Sequence, residues 1–96
     1  MDRVAVQAEL YQRLKAEGVK CDVNVACNEL RLDIALQTRE YIYGYINVSD
    51  MPPSPVMRNG LKARNCASVN DVPSAVEWAK SLYEQHEGSQ AALMLA

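Results

Sequence analysis

No apolar run in this chain approaches the ~18 residues that a membrane-spanning helix requires, and the start MDRVAVQAEL has no basic segment followed by an apolar one. Both absences make the cytoplasm the expected location. An excess of one charge is missing too, since ten Lys and Arg stand against twelve Asp and Glu, spread along the chain, for a net charge of −2. Domains whose main work is to cover phosphate backbone are strongly basic, so that class does not fit, and the acidity is too weak and scattered for a nucleic-acid mimic. The four glycines, at positions 18, 44, 60 and 88, are isolated, which excludes a phosphate-cradling loop.

Cysteine is scarce and odd in number, at Cys21, Cys27 and Cys66, as suits a reducing compartment. Six residues of extended strand cover about 20 Å, whereas bridged cysteines need Cα atoms within roughly 7 Å, so Cys21 and Cys27 cannot pair if both lie on one strand. His86 is the single histidine, and no CxxC or HxxxH spacing brings two soft ligands together. The expectation is no metal and no cofactor, with the cysteines serving as small buried hydrophobes.

What the chain does have is alternation. From Val19 to Val48 apolar and polar residues alternate through three successive runs, which predicts a three-stranded antiparallel meander. A hairpin tip at Asn28 and Glu29 pairs Cys27 with Leu30, Val25 with Leu32, Val23 with Ile34, and Cys21 with Leu36. Every one of these pairs is apolar. The opposite face then pairs Ala26 with Arg31, Asn24 with Asp33, and Asp22 with Ala35, as a solvated face would. A slip of one residue would bury Arg31 and Asp33, so the register is specific.

The third run, Tyr41 to Val48, has two possible faces, set by the connection from Gln37 to Glu40. An odd loop pairs Leu36 with Ile42 and Leu32 with Ile46, sending Ile42, Ile46 and Val48 inward. An even loop sends Tyr41, Tyr43 and Tyr45 inward instead. The odd loop is preferred because the even one would aim Asn47 at the core and would bury phenolic hydroxyls that need partners. Gly44 on the inner face then lets a helix approach the sheet closely.

Helices flank the meander. Asp2 caps a helix over Arg3 to Glu17, whose Val6, Leu10 and Leu14 recur every four residues, and Gly18 stops it. Asn70 or Asp71 caps a second helix with Pro73 in its first turn and a stripe of Val72, Ala75, Val76, Ala79, Leu82 and Tyr83, ending at Gly88. Met51 to Pro55 is an extended loop because three prolines fall within four residues, Asn59 and Gly60 mark a turn, and Leu61 to Ala67 is a candidate short fourth strand. The expected fold is therefore an α+β two-layer sandwich of order α-β-β-β-(β)-α, with both helices on one face of the sheet. It forms one domain over residues 1–88, followed by an apolar tail at 89–96.

That order is similar to the order in the double-stranded-RNA-binding domain. The family carries a cluster of lysines at the start of its final helix, where Val69 to Lys80 offers Lys80 alone. The likeness is one of topology, and the family is not assigned.

Chemistry is sparse. His86 sits near a helix end, where a surface position suits it. Cys66 is the best nucleophile on offer, as a small thiol enzyme would need, but nothing in the sequence places a base or cation beside it. Enzymatic activity is not expected. Two binding surfaces remain. On the outer sheet face, Tyr41, Tyr43 and Tyr45 would stand near Asn24, Arg31 and Asp33, and tyrosines suit protein interfaces because they offer large contact area with few rotors to freeze. The segment with Arg58, Lys62 and Arg64 has no acid between Asp50 and Asp71, and with the tyrosines it resembles a single-strand nucleic-acid surface. The leading expectation is a non-enzymatic protein-interaction module that binds a protein partner or its own copy through the sheet face and edge strand. Small domains of this class serve as regulators or inhibitors, those of phages and mobile elements included. A nucleic-acid accessory role comes second.

Overall fold

The computed structural model of the chain describes residues 2–27, 29–38, 41–50, 56–58 and 61–95, with backbone alone at 30, 56–58 and 87–95. Asp2 accepts a hydrogen bond from the Ala5 amide at 3.2 Å and opens α1, Arg3–Ala16. Gly18, at φ +77°, closes it, while the amides of Glu17, Gly18 and Val19 donate to carbonyls of the last turn. The strands are β1 (Cys21–Cys27), β2 (Leu30–Gln37), β3 (Ile42–Val48), β4 (Val56–Arg58) and β5 (Leu61–Cys66). A 3-10 turn at Val69–Asp71 leads into α2, Val72–Leu95.

The described strands form one five-stranded sheet in the order β1-β2-β3-β5-β4. Both helices pack on one face of it: Val6, Leu10 and Leu14 of α1, and Val72, Ala75, Val76, Ala79 and Leu82 of α2, share a core with Cys21, Ile34, Leu36, Ile46, Val48 and Cys66. The α+β two-layer architecture is as the sequence predicts. The candidate fourth strand is real, and it is joined by β4. Because β4 occupies the outer position, β5 enters beside β3 and runs parallel to it, with Gly44 opposite Lys62 and Val48 opposite Cys66. The sheet is therefore mixed. The proline segment at 51–55, the turn at Asn59 and Gly60, Asn28 of the hairpin tip and the loop residues Arg39 and Glu40 lie outside the described residues.

Between β1 and β2 the expected register holds from Cys21 opposite Leu36 to Cys27 opposite Leu30, with one pair missing: Asn24 and Asp33 do not face each other in the ladder. Asn24 has turned left-handed, at φ +53°, a conformation that Asn tolerates better than most residues. The expected single inner face is split there. Cys21, Ile34 and Leu36 lie under the helices, whereas Leu32, with Val25 and Cys27 against it, joins a second cluster with Ala35, Tyr45 and Ala63. Leu32 and Ala35 are three residues apart yet share a cluster, so the alternation skips a beat at Asp33.

β3 keeps the preferred parity but not the expected partners. Ile34 faces Ile46 and Leu36 faces Gly44, two residues away from the predicted pairing, and an irregularity at Leu36 and Gln37 then sets Gln37 opposite Ile42. Ile46 and Val48 go inward as expected, but the extra residue at this bulge sends Ile42 to the second cluster. Gly88 does not stop α2, which continues to Leu95. One interior glycine costs only ~1 kcal/mol, and no proline follows to force an end. At 24 residues the helix is about 36 Å long.

Gly44 is where α2 meets the sheet. A Cβ built there would lie 2.9 Å from Leu82 Cδ2 and 3.0 Å from the Lys62 carbonyl oxygen. Leu82 can rotate, but the parallel neighbour's backbone cannot, so Gly44→Ala should lower stability by about 1–3 kcal/mol in urea unfolding. An unchanged midpoint would mean that α2 sits farther from the sheet.

Candidate functional site

Asp33 is 2% exposed and sits where the β1-β2 ladder skips a pair and the β2-β3 ladder stops. Its carboxylate accepts from the Val48 amide at 2.8 Å through Oδ2 and from the Arg3 guanidinium through Oδ1. Its own backbone, without a strand partner at Asn24, is served by side chains: its amide donates to Asn47 Oδ1 at 2.9 Å, and its carbonyl accepts from Gln7 Nε2 at 2.9 Å. Gln7 Nε2 lies 3.0 Å from Asn24 Oδ1, which also accepts from Arg31 at 3.4 Å. Buried polar groups must be paired, and here one residue of β2 is paired by α1 and β3 together.

The structure thus brings together Asn24, Arg31 and Asp33 of the predicted surface, but on the side that faces α1. Arg3 and Gln7, four residues apart on one helix face, were absent from the sequence-based site. Their spacing is the one signal that could have marked them. The outer rim of this junction is open. Arg31 has no carboxylate partner among the described residues, and two exposed large apolar residues are chain neighbours of the junction: Val4, 72% exposed, between Arg3 and Gln7, and Val23, 38% exposed, beside Asn24.

The tyrosines do not form a row. Tyr45 points to the face away from the helices, as expected, but is buried against Leu32, Ala35 and Ala63, and its hydroxyl has no hydrogen-bond partner among the described residues. The bulge turns Tyr43 to the helix side, where it stacks on His86 of α2 with ring centroids 4.7 Å apart and planes 10° from parallel. Tyr41, 45% exposed, meets the same imidazole edge-on and is hydrogen-bonded to its Nε2 at 2.8 Å. His86 is therefore the clasp that holds α2 to the start of β3 rather than a free surface residue.

Arg64 leaves the predicted nucleic-acid surface. It is 8% exposed, and its guanidinium grips Asp71 bidentately at 2.9 and 3.0 Å, fixing the turn before α2 to β5. Asp71 is committed to this pair. Lys62 is exposed, and the side chain of Arg58 lies outside those described. Cys66 is buried, and its Sγ donates to the Ser68 carbonyl at 3.4 Å. Burial and the nearby Asp71 push its thiol above the ordinary range, the reverse of what a nucleophile needs. Among the described residues no three of His, Cys, Asp and Glu gather into a group that could hold a metal ion, and no described helix is long and apolar enough to cross a membrane.

With fold and site in view, the class is a small α+β domain with a mixed sheet, and comparison extends it no further. No family model, no curated protein and no solved structure matches the chain.

Removing the Asp33 carboxylate leaves the Val48 amide buried without an acceptor. Arg3, more than half exposed, adds little to the loss. Asp33→Ala should cost about 3 kcal/mol in urea unfolding, and Asp33→Asn, which keeps an acceptor oxygen, about half of that. Equal costs for the two, or costs near zero, would show that the junction is not a constraint. A second outcome concerns Cys21, whose thiol is pushed by burial from an ordinary value of 9.0 to about 11. The unfolded chain ionises first, so between about 9 and 11 it holds fewer protons than the native state and stability falls as pH rises. Urea midpoints of the wild type should fall across that window more than those of Cys21→Ala; parallel falls would contradict it.

Proposed function

We propose that the chain is a non-enzymatic protein-interaction module whose docking surface is the flank where α1 meets the β1-β2 hairpin. The observation that carries this reading is the exposure of two valines, Val4 and Val23, each next in the chain to a residue of the Asp33 junction, together with that of an arginine, Arg31, which has no carboxylate partner among the described residues. Exposed apolar side chains and a guanidinium without a carboxylate partner are what interface cores are built from, and arginine is enriched there. The network behind them, Gln7 to Asn24 and to the Asp33 carbonyl, holds helix and hairpin in one relative position, so the surface needs little ordering when a partner arrives. β1 is also an outer strand of the described sheet, which gives a partner backbone to pair with. The left-handed Asn24 interrupts that edge, so side chains carry the recognition. A regulator or inhibitor of another protein fits this description.

The nucleic-acid reading is weakened by the loss of Arg64 to Asp71, and the thiol-enzyme reading by the raised Cys66 thiol.

The triple variant Val4→Ser, Val23→Ser and Arg31→Glu changes exposed side chains alone and should unfold within about 1 kcal/mol of the wild type. In affinity capture from a lysate of the source organism, a protein retained by the wild type should be lost at least about tenfold with this variant. Retention of the same proteins by both would place the docking surface elsewhere.

A further inference from the structure

Where α1 ends and β1 and β2 meet, Lys15, Gly18, Lys20, Cys21, Gln37 and Thr38 line much of an open cleft of about 340 Å³. That volume is at the small end of ligand sites. None of its described lining residues is a carboxylate. Neither Lys15 nor Lys20 makes an ion pair among the described residues, although the chain as a whole carries more acids than bases. The floor is apolar: Val19 and Cys21 are buried there, against Gln37 and Thr38, which carry an amide and a hydroxyl.

The end of a helix normally repels anions, because its last carbonyls point outward. Here those carbonyls are occupied. Arg13, Leu14 and Lys15 accept hydrogen bonds from the amides of Glu17, Gly18 and Val19, so the negative end is largely closed on itself. Gly18 has nothing within 4 Å of where a side chain would project, which leaves its flank of the cleft open. Lys15 Nζ lies 5.2 Å from the centroid of the Tyr11 ring, and contact with Tyr11 raises its pKa above the ordinary lysine value. Asp22 stands nearby, its carboxylate accepting from Gln37 Nε2 at 2.6 Å, and its field opposes an anion in the cleft.

We propose that this cleft binds a small molecule carrying a phosphate or carboxylate, with Lys15 and Lys20 on the oxyanion and the apolar part of the ligand over Val19 and Cys21. Two ammonium groups on a concave, partly apolar surface favour a compact organic anion over a simple ion, because the floor adds burial to the charge attraction. The site is separate from the Arg31 flank and does not depend on the protein-binding reading.

Titrating phenyl phosphate and, separately, benzoate at constant ionic strength while following backbone amide chemical shifts tests the site. Saturable shifts are expected at Lys20, Cys21 and Gln37 for at least one of the two, and the better ligand identifies which oxyanion the cleft prefers. Lys20→Ala, a change to an exposed side chain, should weaken binding about tenfold, and Asp22→Asn should strengthen it. Shifts that rise linearly without saturating for both compounds would overturn the proposal. So would saturable binding that neither substitution alters.

Discussion

The structure turns on one unmade backbone pair. When Asn24 adopts a left-handed conformation, Asp33 loses its partner across the β1-β2 ladder, and its buried amide and carbonyl need other partners. Asn47 and Gln7 supply them, while the Asp33 carboxylate takes the Val48 amide that the interrupted β2-β3 ladder leaves open. An unsatisfied buried group costs about 1–3 kcal/mol, a large part of what a domain of this size has as net stability. The positions of α1, the hairpin and β3 are therefore interdependent, and the sheet carries apolar clusters on both faces because its alternation shifts at this residue.

The placement of the polar and aromatic side chains is shaped by the same shift. The turn at Asn24 gathers Asn24, Arg31 and Asp33 beside α1, while the bulge in β3 scatters the tyrosines to three environments. What would have been a flat aromatic face becomes a buried second core, and the surfaces proposed for recognition lie instead at the hairpin flank and the cleft at the end of α1. Two polar clasps complete the arrangement. Arg64 on Asp71 anchors the start of α2 to β5, and His86 between Tyr41 and Tyr43 anchors the helix again four turns later.

Much of this was legible in the sequence because it rests on local patterns. Helix α1 with its cap and stop, the β1-β2 register, the helix stripes and the close approach at Gly44 all follow from periodicity and from single residues with strong backbone preferences. The misses share a cause. Alternation counts residues and cannot see one residue leave the extended conformation, so the conformation of Asn24 and the bulge at Leu36 and Gln37 each reversed the facing of what followed. Two further choices were equally hidden: the parallel placement of β5 goes with β4 at the edge, and the pairing of Arg64 with an acid seven residues away depends on the turn before α2. Three of the predicted partner residues do come together, though through helix contacts that strand parity alone does not contain.

The two-sided sheet is the central claim, and nuclear Overhauser contacts of the Leu32 methyl groups test it most directly. With the face exchanged at Asp33, Leu32 should show cross-peaks to the Tyr45 ring and the Ala63 methyl and none to Leu10 or Leu14 of α1. Cross-peaks from Leu32 to Leu10 or Leu14, without those to Tyr45, would restore a single inner face and contradict the junction at Asp33.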